Sequence, residues 1–315
     1  MAERVAVEDL VKLAILLGSG ELSLERKREI LASFVAAARK SIDSWIERYV
    51  ESRFPQPLAG RVLYAVMGGK RLRGSLLILY AYMEGADEAP LDLAAAVEMA
   101  HSASLVHDDI ADSSETRRGR PSFWAKFGLH EAVTVPHILI PEALSIIGRR
   151  GENMLLKSIE GWRLAAKGQY YDLLVKSSEI DVDYEELVRL KSGAVFATAC
   201  YIGSSVAKGD AETAYEFGMR LGIAYQALDD ATAIVQDSVD SGSALLALNL
   251  WGERAVDELV ETARKELREG LVLLEPSLRD VLAVFALKTV EDISREGGNA
   301  FYDMVRRSLV HVVSY

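Results

Sequence analysis

The chain has 315 residues, 50% of them hydrophobic and 26% charged, enough to bury a substantial core and typical of a globular protein. Its net charge of −11 argues against nucleic acid as a partner and gives no reason to expect binding to an anionic membrane surface, so any attraction for a phosphate must be local. A single cysteine, Cys200, excludes a disulfide framework and a cysteine-based zinc site and fits a reducing cytoplasm, with its small side chain expected in the core.

No targeting pattern opens the chain, and no apolar run reaches the ~18 residues of a membrane span, because Pro141 and Glu142 interrupt 138–147 and Glu275, Pro276, Arg279 and Asp280 interrupt 271–290. A cytoplasmic protein without a membrane anchor is therefore expected. Residues 7–19 and 23–53 read as amphipathic helices, since Ile30, Phe34, Ala37, Ile42, Trp45 and Ile46 recur at threes and fours and Ser23 offers a cap. Pro55 and Pro57 break the pattern; then come 58–66, a turn at Gly68-Gly69, a helix over 73–84 and a long helix over 91–112. Helical periods continue through 151–175, 184–206, 210–236, 244–269 and 277–295, with no alternating strand pattern and no repeat. The expectation is an all-α, single-domain helical bundle over 1–315, with an N-terminal helical extension (1–24) and a C-terminal extension (297–315) that packs on the body or at a subunit interface.

Two stretches carry chemistry. In Leu105-Val106-His107-Asp108-Asp109-Ile110-Ala111-Asp112, Asp108 and Asp112 lie four apart on one helical face with Asp109 beside them, and Arg117, Arg118 and Arg120 follow. Such carboxylates either repel one another at a solvated helix end or hold a hard cation such as Mg2+, which shares carboxylate and phosphate oxygens, and arginines are the planar partners of phosphate. In Gly68-Gly69-Lys70-Arg71-Leu72-Arg73-Gly74, a glycine turn precedes a helix start, and Lys70 and Arg73 are spaced to reach one anion; a surface turn with solvated cations is the alternative. Together they suit two diphosphates, one bound through metal and one directly. By contrast, His107, His130, His137 and His311 show no metal-ligand spacing, and Phe123, Trp124 and Phe127 read as core. Gln169 and Asp172 are suited either to a metal-bound water or to positioning a substrate, or else to a structural hydrogen bond between helices.

These residues resemble a known family. The run GGKRLR, the helix from Glu98 to His107, the DDIAD stretch and RRGRP are similar to the first half of the trans-isoprenyl (polyprenyl) diphosphate synthases. The likeness continues at Gly168-Gln169-Tyr170-Tyr171-Asp172, at Leu190-Lys191-Ser192 and at Phe217 to Asp230, covering about residues 25–295 in order. It implies an α-helical bundle around a deep central cavity, a homodimer and a cytoplasmic enzyme. It also implies that Asp108, Asp109 and Asp112 hold Mg2+ on an allylic diphosphate with Arg117 helping. Gly69, Lys70, Arg73, His101 and Arg118 would hold isopentenyl diphosphate; Lys191, Ser192 and Gln226 would line the allylic side; Asp229 would carry a further Mg2+. Asp108, Asp109, Lys191 and Gln226 would then serve catalysis itself.

The chain departs from the family's pattern in its second half. The second acidic motif reads Asp229-Asp230-Ala231-Thr232-Ala233, with alanine in place of the third carboxylate, and no lysine occurs between Lys208 and Lys265 where a closing loop would supply one. A Gly-Asp pair is replaced by Pro136-His137, and Asp237 reaches the missing position only if the helix end bends. Two readings follow: a working synthase with an unusual second site, or a degenerate paralogue that binds isoprenyl diphosphates or tunes an active synthase subunit in a heteromer. Counting back from Asp108, small residues at Ser104, Ala103 and Ala100 would open the cavity by one to two helical turns of ~5.4 Å, each about one isoprene unit, so the product is expected to be ~C20 or longer. Close helix packing is the other use of small residues there.

Overall fold

In the structure, a computed structural model, residues 2–19, 22–309 and 312 are described, so His311 and the other tip residues of the C-terminal extension lie outside the described residues. The chain is all-α. Helices α1 (Ala2–Gly18), α2 (Leu24–Arg53), α3 (Leu58–Val66), α4 (Leu72–Met83) and α5 (Leu91–Ala111) lead to a short hairpin, β1 (Thr116–Arg117) and β2 (Arg120–Pro121). Next come α6 (Phe123–Phe127), α7 (Leu129–Gly148), α8 (Glu152–Lys176), α9 (Tyr184–Val188), a π turn (Arg189–Gly193) and α10 (Ala194–Ala207). After α11 (Ala211–Val235) follow α12 (Gly242–Trp251), a 3-10 turn, α13 (Ala255–Val272), α14 (Pro276–Ser294) and α15 (Asn299–Leu309).

The chain divides into two compact units: residues 1–15, 32–159 and 202–209 form unit 1, and 16–31, 160–201 and 210–315 form unit 2. Unit 1 is built on α5, which is apolar nearly all round and accordingly buries Leu93, Ala95, Val97, Met99, Ala103 and Val106. Helices α3, α4, α6 and α7 pack against it. No helical period was assigned over 129–148, a stretch in which Pro136 and Pro141 each remove an N–H donor. The structure forms α7 there nonetheless, since Ala132, Val135, Leu139, Ala143, Ile146 and Ile147 make a continuous buried face. This helix is also an exception to the expectation about apolar length: it is long and apolar enough to cross a membrane, a test that a half-buried core helix passes as well.

Unit 2 is built on α11, against which the π turn, α9, α12, α13 and α14 pack. Glycines set that spacing. A Cβ on Gly222 would lie 2.7 Å from Gly193 Cα, and one on Gly168 would lie 2.3 Å from Lys191 N, so the backbones touch where any side chain would hold them apart. The single helix expected over 184–206 is divided by the π turn, and the one expected over 244–269 is broken at Gly252, whose φ of 55° lies in the left-handed region. In the C-terminal extension, Phe301, Val305 and Leu309 of α15 are buried, as its periodicity demands.

Candidate active site

The last turn of α5 and the hairpin behind it organise the polar residues of unit 1. Asp108 and Asp112 are both half-buried, and Asp112 is the C-cap of the helix. Asp109 points the other way: it is 1% exposed and accepts Arg117 Nε at 2.5 Å. Burial raises the Asp109 pKa and the Arg117 charge draws it back down. Trp124 Nε1 donates to the Asp109 carbonyl at 3.0 Å, so this residue ties helix, hairpin and α6 together. The hairpin turns at Arg118 (φ 55°) and Gly119 (φ 71°), the two positive values of a tight I′ connection.

That hairpin grips the glycine loop. Arg118 Nη1 donates to Met67 O at 2.9 Å, Arg120 Nη2 donates to Tyr64 O at 2.7 Å and Met67 O at 3.0 Å, and Tyr64 OH donates to Pro121 O at 2.7 Å. Arg71 holds the loop from its other side. Its side chain is fully buried, with Nε donating to Asp43 Oδ1 at 2.7 Å and Nη1 lying 3.8 Å from Glu98 Oε2, while Glu98 Oε1 accepts the Gly74 N–H at 2.8 Å. A Cβ on Gly69 would sit 3.2 Å from both the Arg71 and the Arg118 guanidinium groups. Because an unpaired buried carboxylate is costly, Arg71→Ala is expected to destabilise the fold by roughly 3–5 kcal/mol, read from denaturant unfolding.

The same loop presents Lys70 and Arg73. Arg73 Nη1 lies 3.0 Å from His101 Nε2. Enclosure of the ring, followed by the charges of Arg73 and Arg118, pushes the His101 pKa well below its usual value, so a neutral ring accepts the arginine N–H. Arg118 is lowered to about 10 by burial and by its neighbours Arg71 and Arg117. A small open cleft lies beside these groups, lined by Ser102, Asp109, Arg117, Arg118 and Ser122 among others. The Ser102 and Ser122 hydroxyls are buried without a hydrogen-bond partner. Crowded cations with spare donors suit an anion with several oxygens.

Among the described residues no three His, Cys, Asp or Glu side chains converge as a ready-made metal cage. Mg2+ does not require one, since it keeps several waters and commonly binds through one or two carboxylates plus substrate phosphate. The Asp108–Asp112 pair fits that donor set. Of the small residues upstream, Ala100 and Ser104 are half-buried, and Ala103 is wholly buried. Pro136-His137 places a second imidazole beside His107, ring centroids 5.8 Å apart.

Unit 2 carries the other expected residues, in a different state. Lys191 sits in the π turn with Nζ 2.9 Å from Asp172 Oδ1, and Ser192 Oγ donates to Gln226 Oε1 at 2.5 Å. Gln226 Nε2 in turn reaches Asp230 Oδ1 at 3.0 Å and Asp229 Oδ2 at 3.5 Å. Asp229 is exposed, whereas Asp230 is 1% exposed and accepts Tyr184 OH at 2.8 Å. Burial, reinforced by the Asp229 charge, pushes Asp230 up to about 7. Ala233 is half-buried, and α11 ends at Val235, with Asp237 exposed beyond it at φ 52°.

Sequence reading assigned no role to Asp43, Glu98, Arg71, Tyr184, Ser241 or Ser243. A signal existed for one of them: serine ahead of an apolar run is an N-cap pattern, and Ser241 Oγ does accept Ala244 N at 3.1 Å. Nothing local marks the others, whose partners lie far along the chain.

Comparison with known proteins gives a consistent picture. Residues 55–246 match the sequence profile described as polyprenyl synthetase. A hexaprenyl pyrophosphate synthase of Saccharolobus solfataricus is 30% identical over 245 residues, covering 76% of this chain and 85% of that protein. A geranylfarnesyl diphosphate synthase of Aeropyrum pernix is 35% identical over 253 residues, 75% of this chain and 79% of that one. Among solved structures, a geranyltranstransferase from Thermotoga maritima superposes with a TM-score of 0.73 at 25% identity, covering 82% of this chain and 99% of that one. An isoprenoid synthase family member from Thermotoga neapolitana gives 0.70 at 27% identity, covering 80% and 98%.

Proposed function

Because the chain belongs to the polyprenyl synthetase family, the trans-isoprenyl diphosphate synthases, we propose that it is a Mg2+-dependent prenyltransferase. It condenses isopentenyl diphosphate with an allylic diphosphate to give a trans-prenyl diphosphate of C20 or longer. The observation that carries this reading is the gathering of Arg71, Arg117 and Arg118 around the glycine loop and its cleft, next to an acidic pair on α5; burial first, and then the charges of Arg71 and Arg117, lower the Arg118 pKa to about 10. Like charges held so close are stabilised by a bound anion.

Each residue then has a task. Lys70 and Arg73, with the Gly69 backbone, His101 and Arg118, bind the diphosphate of isopentenyl diphosphate. His101 serves as a neutral acceptor that aims Arg73. Asp108 and Asp112, backed by Asp109 and Arg117, would hold Mg2+, which when bound would supply positive charge to the departing allylic diphosphate. In unit 2, Lys191, Ser192 and Gln226 bind on the allylic side, and Asp229, the exposed carboxylate of its motif, adds a single metal ligand. Breaking the allylic carbon–oxygen bond leaves an allylic cation; the isopentenyl double bond attacks it, and loss of a proton completes the five-carbon extension. We propose a cytoplasmic location, in keeping with the single cysteine, which is buried, and a homodimer as the family resemblance implies.

The state of unit 2 favours a second reading, in which the chain binds isoprenyl diphosphates and modulates an active synthase as the other subunit of a heteromer. Purified protein incubated with Mg2+, labelled isopentenyl diphosphate and allylic partners of one to four isoprene units separates the two. Extended product supports the enzyme; its absence with every partner removes that reading and leaves the modulator. Gly69→Ala wedges a methyl between two guanidinium groups, and is expected to raise KM for isopentenyl diphosphate about tenfold with little change in kcat.

A further inference from the structure

Buried carboxylates must be compensated, either by cations or by several hydrogen-bond donors. In unit 2 the chain itself provides that compensation. Asp172, wholly buried, accepts the Gly242 N–H at Oδ2 and the Ser243 N–H at Oδ1, each at 2.9 Å, in addition to Lys191. Asp230 accepts Gln226 Nε2 at 3.0 Å, Ser241 Oγ at 3.1 Å and Ser243 Oγ at 2.9 Å on one oxygen and Tyr184 OH on the other. A carboxylate offers about four acceptor sites. Three donors converge on one oxygen of Asp230 and Tyr184 OH holds the other, and both Asp230 and the neighbouring Asp172 are closed off from solvent. The fit of α12 is specific: a Cβ on Gly242 would lie 2.1 Å from the Asp172 carbonyl oxygen, so only glycine allows the helix start to seat there. The shortened connection after α11, residues 236–241, delivers that start directly onto the two aspartates.

We propose that Ser241-Gly242-Ser243 is an internal latch that occupies Asp172 and Asp230 in place of a divalent cation, so that this part of the second acidic motif fastens α12 instead of binding metal. A cation coordinating either carboxylate at its usual ~2.0–2.1 Å for Mg2+ would have to displace donors that no other group can satisfy. Divalent-cation binding by the chain therefore rests on the Asp108–Asp112 face, with Asp229 as the exposed remnant. This inference holds for an active synthase and for a modulator alike, because its test needs no turnover.

The probe is Mn2+ alone, titrated into the full chain and followed by the electron paramagnetic resonance signal of the free ion, with thermal melting in parallel. Asp230→Asn and Ser243→Ala are expected to keep Mn2+ affinity within about twofold of the parent while lowering the melting temperature by about 3–10 °C. Asp108→Asn combined with Asp112→Asn is expected to weaken Mn2+ binding at least about tenfold. A tenfold loss of Mn2+ affinity in Asp230→Asn, or an unchanged melting temperature in Ser243→Ala, would overturn the latch. Should Asp230→Asn fail to fold, amide hydrogen exchange on the parent chain decides. Protection of the Gly242 and Ser243 amides that is indifferent to saturating Mn2+ supports the latch, and faster exchange on adding Mn2+ refutes it.

Discussion

Replacing Asp108 and Asp112 together by asparagine is expected to lower kcat/KM for chain extension by about 10³ or more, because a charge aimed at a developing leaving group contributes on the order of 10²–10³ in rate and, in the proposed function, the two carboxylates would hold one cation between them. The single variants should each lose nearly as much as the pair, the signature of residues that act as one unit. Asp109→Asn should behave differently. Its carboxylate is buried against Arg117 and braces the hairpin, so the loss is expected first in melting temperature and in the affinity of the loop that the hairpin grips. Steady-state kinetics against Mg2+ concentration distinguish the cases: a metal ligand raises the Mg2+ requirement, a brace does not. Full turnover in the Asp108–Asp112 double variant would remove the α5 turn from the mechanism.

A bulky residue on the open side of α5 is expected to shorten the product by one or more isoprene units. Ser104 and Ala100 are both half-buried and lie four and eight positions before Asp108, along the same stripe of the helix. One isoprene unit matches about one helical turn, so Ser104→Phe should stop growth earlier than Ala100→Phe. Ala103 is wholly buried, and Ala103→Phe is expected to overpack the interior at a cost of about 1–3 kcal/mol while changing product length less cleanly. Separation of the dephosphorylated products by chain length reads the result directly. An unchanged distribution in Ser104→Phe would mean that the small residues serve helix packing.

Most helices were legible in the sequence because each has an apolar face at threes and fours: α4 and α5 begin and end within a residue of expectation. Three features were not. Helix α7 runs through Pro136 and Pro141, which local rules read as breaks, and only its buried face against α5 sustains it. The hairpin at 116–121 has two-residue strands, too short for an alternating pattern, and it forms because Arg118 and Gly119 accept positive φ. The π turn at Arg189–Gly193 depends on Gly193 lying against Gly222, a contact between residues 29 positions apart that no window along the chain reveals.

The site divides in the same way. Asp108, Asp112, Lys70, Arg73 and His101 were singled out by spacing and resemblance, and the structure sets Arg73 beside His101. The roles of Arg71 and Arg120 were hidden, since a run of basic residues does not say which cation faces outward and which is spent on backbone carbonyls or on Asp43. In the second motif the sequence showed what was missing, a carboxylate at position 233 and the lysine loop, but not how the remaining carboxylates are held. That answer required seeing Ser241 and Ser243 reach Asp230 and the backbone of residues 242 and 243 reach Asp172.

The glycine contacts of unit 2 have a consequence for how this protein tolerates change. Gly168, Gly218 and Gly222 bear no functional group, yet at each a single methyl would come within 2.7 Å of a backbone atom on the facing segment. In a saturation screen for function these positions should be as silent as the aspartates, and a map of dead positions would trace a continuous line across the backbone contacts of unit 2. The positions of unit 2 least able to change would then include residues that have no chemistry at all.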